Sequence, residues 1–180
     1  MLNDRVALAK YFNELGFKRG AEVGVADGRY SEILCQSIPG LVLFCVDPWN
    51  TYKDNRRGGG KDQQFGNYET AKKRLEKFDA TLIRSFSVPA AQKFPDECLD
   101  FVFIDANHDF DYVMEDIITW SRKVRKGGII SGHDYYQFHN SGIIEAVNSY
   151  VNYHHLDLNL TLRNDGYKDD RCPCFWWVKV

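Results

Sequence analysis

Polar residues follow one apolar run after another in this chain: Asp27 and Gly28, then Asp47, Ser87, Asp105 to His108, and finally His133 with Asp134. Carboxylates accept hydrogen bonds and exchange protons, and an imidazole titrates close to neutral pH. Such a series could hold a polar ligand and move a proton on it. The stretch "RKGGIISGHDYY" at 125–136 puts the question most sharply, because a short apolar run finishes on an imidazole and a carboxylate side by side. Strand ends meet water and turn polar in any case. That plain explanation predicts more lysine, asparagine and serine, however, and fewer carboxylates emerging directly from buried segments.

The elements that must position these groups alternate along the chain. Asn3 is placed to cap a helix over about 4–16, with Val6, Leu8, Ala9, Phe12 and Leu15 at helical spacing. "AEVGVADG" at 21–28 reads as a strand breaking into a glycine turn, 29–38 as a helix, and "LVLFCVD" at 41–47 as a strand buried on both faces. Residues 50–67 are polar, contain three consecutive glycines and show no periodicity, so they read as a mobile loop or lid. Helix at 68–78, strand at 80–85, short helix at 88–94, strand at 99–105, helix at 110–124 and strand at 127–132 follow. This alternation calls for a parallel sheet with helices on both faces. A helix at 141–153 leads to strands at 158–163 and 174–180 joined by a short turn, hence to an antiparallel hairpin at the end of the sheet.

Composition bounds the function. With 180 residues, 44% of them hydrophobic, the chain fits a single domain over 1–180 with a substantial core. A net charge of -2 points to no nucleic acid or acidic membrane as partner, and no apolar run approaches membrane-spanning length. A soluble, cytoplasmic protein acting on a small molecule is the expectation; whether it forms a homo-oligomer is left open. The five cysteines do not read as a secreted disulfide framework, and the "CPC" at 172–174 lacks the two-residue spacing of a CxxC site.

In an open parallel sheet, ligands bind beyond the carboxyl ends of the strands. The first turn, "GVADG", is not GxGxxG, so a dinucleotide fingerprint and an NAD-linked oxidoreductase are disfavoured. Glu22 and Asp27 would also repel a pyrophosphate and suit a cationic ligand better. Asp47, 23 residues after Gly24, is placed to accept hydrogen bonds from a ribose diol. A nucleoside with a positive group and no phosphate meets these demands, and S-adenosylmethionine is such a molecule.

Taken together, "EVGVADG" (22–28), "VDPW" (46–49), "FIDANHDFDYVMED" (103–116) and "KGGIISGHDYY" (126–136) resemble class I S-adenosylmethionine-dependent methyltransferases. Within that class the chain is similar to the small family that includes metal-dependent sugar O-methyltransferases of antibiotic pathways. The resemblance implies a Rossmann-like, doubly wound α/β fold with a seven-stranded sheet, mostly parallel, whose last strand is antiparallel. It implies cofactor binding by Glu22, Gly24, Asp27, Asp47, Ser87 and Asp105: Glu22 and Gly24 near the methionine part, Asp47 on the ribose, Ser87 near the adenine. The usual middle glycine of the first motif is here Ala26.

The metal-dependent relatives carry three acidic or amide ligands where this chain has Asp105, His133 and Asp134. Two carboxylates with waters suit Mg²⁺; an imidazole shifts preference toward Mn²⁺, Fe²⁺ or Zn²⁺, or toward no metal. His133 reads equally well as a hydrogen-bond partner of a neighbouring carboxylate. Methyl transfer to a hydroxyl of a small polar acceptor, such as a sugar, needs a base, for which Asp105 and His108 are the candidates. Arg56, Arg57 and Lys61 in the loop, and Tyr135, Tyr136 and His139, are placed to meet an acceptor. A non-catalytic S-adenosylmethionine-binding module with a regulatory or assembly role is the other reading.

Overall fold

A computed structural model describes residues 2–50, 60–137, 141–162 and 172–180 of the chain. Its elements run α1 (Arg5–Glu14), β1 (Arg19–Val23), α2 (Arg29–Ser37), β2 (Val42–Asp47), α3 (Lys61–Leu75), β3 (Ala80–Arg84) and α4 (Ser87–Ala91). Then come β4 (Leu99–Ile104), α5 (Phe110–Ser121), β5 (Val124–Gly132), α6 (Ile143–Tyr153), β6 (Asn159–Leu160) and β7 (Phe175–Val178). The described strands form one seven-stranded sheet in the order β3-β2-β1-β4-β5-β7-β6. Pairings from β3 through β5 are parallel, whereas β7 is antiparallel to both β5 and β6. The expected doubly wound α/β fold is therefore present, and its terminal hairpin places β7 inside and leaves two-residue β6 at the edge.

Continuous apolar runs make this sheet predictable, because a strand covered on both faces needs apolar residues at odd and even positions alike. Leu99, Phe101, Val102, Phe103 and Ile104 of β4 are all buried. One face packs with α4, α5 and α6 through Ala90, Val113, Ile117, Trp120 and Val147. The other packs with α1, α2 and α3 through Leu8, Phe12, Leu34, Ala71 and Leu75. No helix among the described residues is long and apolar enough to cross a membrane.

Three local expectations are corrected. The cap of α1 is Asp4 rather than Asn3: its carboxylate accepts from the Ala7 N–H at 2.8 Å, three residues on, the reach that satisfies an otherwise free helix donor. Helix α3 begins at Lys61, so the stretch 61–67 is helical rather than loop. Its first turns lack an apolar period because the face they bury is carried by Gln64, a polar residue turned toward the sheet's carboxyl end. Arg56 and Arg57 of the proposed lid, like His139, lie outside the described residues. Lastly, β5 starts at Val124, inside what periodicity assigned to the preceding helix; a register shift opposite Leu99 and Phe101 lets the strand begin early.

Candidate active site

The site begins where strand order reverses, between β1 and β4. Gly24 leaves β1 with φ +89°, and the Asp105 N–H donates to the Val23 carbonyl at 2.7 Å. The two strand ends approach so closely here that a Cβ on Gly24 would lie 1.9 Å from the Asp105 carbonyl oxygen. Asp47 clamps the turn that follows. Its Oδ2 accepts from the Val25 and Ala26 N–H groups at 3.0 Å each, and its Oδ1 from the Trp49 N–H at 2.7 Å. The Trp49 indole in turn donates to the Ala26 carbonyl at 2.8 Å. Ala26 is thereby held at φ +48°, the left-handed backbone that a glycine adopts more cheaply. Burial raises the Asp47 carboxyl, and the three N–H donors oppose that rise.

Over these strand ends opens a cavity of about 620 Å³, within the range of small-molecule sites. Gly24, Asp47, Ser87 and Asp105 lie on its wall, together with Gln64 and Asn67 of α3. Asp27 does not: its carboxylate is taken by Arg29 at 2.9 Å and faces Arg74 of α3 at 3.6 Å. Glu22 is likewise off the wall, fully enclosed behind the turn, where its carboxyl accepts a short hydrogen bond from Ser31.

Burial pushes the Glu22 carboxyl up to about 8, with the Asp105 charge adding to the rise and the Ser31 hydroxyl opposing it. Because this pKa lies above its ordinary value of 4.5, folding takes up a proton between pH 4.5 and about 8. The contribution is complete below that window and declines by about 1.4 kcal/mol per pH unit as pH rises through it. Glu22→Gln cannot ionise. Its stability, measured by urea denaturation from pH 5 to 9, is expected to decline less steeply than that of the wild type; parallel curves would show that Glu22 folds already ionised.

Beside the cavity, and sharing Asp105 with it, sits a group of carboxylates and imidazoles. Ile104 pairs with Gly132 in the β4–β5 register, which brings the two strand ends together. The His108 Nε2 lies 3.3 Å from Asp134 Oδ2 and 3.8 Å from Asp105 Oδ1. The His133 Nδ1 lies 3.2 Å from Asp134 Oδ1 and 3.7 Å from Asp105 Oδ2. Among the described residues, Asp105, His108 and Asp134 each offer one ligand atom within 4.8 Å of the others, a group that could hold a metal ion; His133, named with Asp105 and Asp134 from the sequence, is not a member of it. His133 is more deeply buried, and its ring bridges the two carboxylates from behind. Burial alone would raise the Asp134 carboxyl. The hydrogen bond from His133, the charges of both imidazoles and a hydrogen bond from Cys172 outweigh it and hold the carboxyl at about 2. Asp134 thus stays ionised at any working pH.

Residues 21–135 match the family described as a methyltransferase domain. The chain belongs to that family. The architecture of this methyltransferase also matches solved structures. An O-methyltransferase from Bacillus cereus in complex with SAH superposes with TM-score 0.70 at 14% identity, over 97% of this chain and 80% of that one. The O-methyltransferase TomG from Streptomyces achromogenes, involved in tomaymycin synthesis and in complex with SAM, gives 0.67 at 15%, over 98% and 78%. A precorrin-6y C5,15-methyltransferase from Geobacter metallireducens GS-15 gives 0.67 at 14%, over 97% and 87%. At these identities the likeness is one of fold. No curated protein matches the sequence.

Several residues of the methyltransferase site escape sequence reasoning. Asp116, Tyr112 and Phe86 wall the cavity; Asp116 sits in mid-helix, eight residues past His108, and although it closes the stretch 103–116, neither periodicity nor strand-end position singles it out. The amides of α3 are hidden in apparent loop. Trp49 stands within "VDPW", and its tie to Ala26 is visible only across 23 residues. Tyr135, expected to meet an acceptor, donates its hydroxyl to Asn148 at 2.8 Å and packs against the core.

Proposed function

We propose that this methyltransferase uses S-adenosylmethionine to methylate a hydroxyl group of a small polar molecule, a sugar being one such acceptor. The observation that carries this reading is the shared position of Asp105, on the wall of the ligand cavity and in the imidazole–carboxylate group at once. The described wall carries Asp47, Asp105, Glu115 and Asp116 but no lysine or arginine. It therefore repels phosphate and accepts a cationic nucleoside, with Asp47 beside the ribose. When bound, S-adenosylmethionine supplies an electrophilic methyl group on a sulfonium.

The chain's own residues handle the proton. An attacking hydroxyl must lose it around the transition state. The Asp134 and Asp105 carboxylates flank His108 Nε2, and this carboxylate–imidazole group is the one that takes up that proton. Two neighbours in the fold are named as O-methyltransferases, which agrees with an oxygen acceptor. Asp105, His108 and Asp134 also fit a first-row divalent ion, since two carboxylates and an imidazole are a common donor set for Mn²⁺, Fe²⁺ or Zn²⁺. Such an ion would lower the pKa of an acceptor hydroxyl.

Isothermal titration with S-adenosylhomocysteine, followed by turnover on a panel of sugars and other hydroxyl compounds, tests the proposal. Binding together with methylation of at least one hydroxyl, read by mass spectrometry, supports it. Absence of binding overturns the cofactor reading, and binding without turnover on any acceptor leaves a cofactor-binding module. Repeating the assay with EDTA and with added Mn²⁺ separates a metal-assisted reaction, abolished and restored, from one run by the carboxylate–imidazole group alone, which is indifferent.

A further inference from the structure

On the α4–α5 wall of the cavity, three side chains form a hydrogen-bond chain of fixed direction. The Trp120 Nε1–H donates to Ser87 Oγ at 2.8 Å, and the Ser87 hydroxyl donates in a short bond to Asp116 Oδ1. An indole nitrogen is only a donor, so the direction cannot reverse. Ser87 Oγ must accept from the indole, its single proton goes to Asp116, and Oδ1 is left as an acceptor. The other oxygen, Oδ2, has no hydrogen-bond partner among the described residues, in a residue 5% exposed that lines the cavity. The only proton of Ser87, expected near the adenine, is thereby committed, so on that hydrogen-bond chain a donor toward the cavity must come from Asp116.

This inference rests on the S-adenosylmethionine reading. In that molecule the ribose joins the sulfur to the base. With the sulfur toward Asp105 and the ribose at Asp47, the base falls against the wall formed by Phe86, Val88 and Pro89, whose apolar surfaces suit the faces of a purine. We infer that Asp116 is the residue that reads the base: its Oδ2 carries a proton and donates it as a hydrogen bond to ring nitrogen N1 of adenine. The position of the proton follows from Ser87, which occupies Oδ1.

The electrostatics agree. Burial raises the Asp116 carboxyl to about 7, the Glu115 charge adding to the rise and the Ser87 hydrogen bond opposing it. The lining of α4 brings no charged residue, α3 presents the amides of Gln63, Gln64 and Asn67, and across the cavity stand the carboxylates of Asp47 and Asp105. Charges on that lining are therefore all negative, and each favours the neutral acid.

Isothermal titration with S-adenosylhomocysteine from pH 6 to 8.5, beside its 1-deaza analogue, which lacks the N1 acceptor, tests the assignment. The expected wild-type affinity drops about tenfold across that range, the scale of one hydrogen bond lost in a buried site. Asp116→Asn presents an amide N–H in place of the acid O–H, and is expected to keep the pH 6 affinity with no comparable drop. The wild type prefers the adenine form over the 1-deaza form about tenfold at pH 6, and Asp116→Ala abolishes that preference. A purely structural role predicts equal losses for both ligands. A wild-type affinity independent of pH, or the same preference in Asp116→Ala as in wild type, overturns the inference while leaving the cofactor reading intact; failure of wild type to bind S-adenosylhomocysteine at any pH removes both.

Discussion

Gly24→Ala is expected to lower the stability of the methyltransferase by about 3–5 kcal/mol and to abolish ligand binding in the cavity. Two costs add at this position. At φ +89° an alanine is strained whatever surrounds it, and its Cβ would sit 1.9 Å from the Asp105 carbonyl oxygen and 2.7 Å from the Ala106 Cα. Both obstacles are backbone, so no side-chain rotation relieves them. The strand ends must part, and the hydrogen bond from the Asp105 N–H to Val23 parts with them. Since Gly24 and Asp105 are both on the cavity wall, the same movement displaces the side chain on which the proposed chemistry rests. Urea denaturation and titration with S-adenosylhomocysteine check the two halves separately. A variant as stable as wild type would mean that the β1–β4 contact yields far more easily than its geometry implies.

Asp105→Asn addresses chemistry with little change of shape. Turnover is expected to fall by about 10²–10⁴-fold, the range attributed to positioned proton transfer, while stability moves by less than about 1 kcal/mol. The side chain is about a quarter exposed, and the backbone hydrogen bond that secures this corner is untouched. A second readout follows from Glu22, whose raised pKa owes part of its rise to the Asp105 charge. Removing that charge should make the pH-dependent loss of stability, which still begins near pH 4.5, end at a lower pH and be smaller, because the folded-state Glu22 carboxyl then ionises earlier. Turnover within threefold of wild type would exclude the carboxylate–imidazole group as the site of proton transfer.

Much of the fold is legible in the order of residues alone. Apolar runs such as "LVLFCVD" and "LDFVFID" are long enough only for strands covered on both sides, and their alternation with helical periods implies a parallel sheet. The strand-end series is legible for the same reason: an abrupt change from apolar to charged residues marks where a buried strand meets a cavity. Boundaries are less so. Polar helix turns, as at 61–67, give no periodic signal when the residue they bury is Gln64.

Which strand-end residues meet the ligand is another matter, because it depends on partners distant in the chain. Asp27 belongs to the first motif, but Arg74 of α3 and the neighbouring Arg29 hold its carboxylate away from the cavity. Glu22 stands in the same motif and is sealed behind it with Ser31. Asp116 reaches the cavity only because α5 packs beside α4, where Ser87 and Trp120 orient it. Between the two histidines, adjacency to Asp134 favours His133, and the path of the loop after β4 gives His108 the more open position. By itself, then, the sequence determined the sheet, the order of its elements and the carboxylates and imidazoles delivered to one edge, since these follow from local periodicity and from the polarity of strand ends. Only the tertiary structure decided which of those groups lie side by side, face the cavity or are enclosed behind it, because those outcomes depend on distances between side chains that sequence separation does not encode.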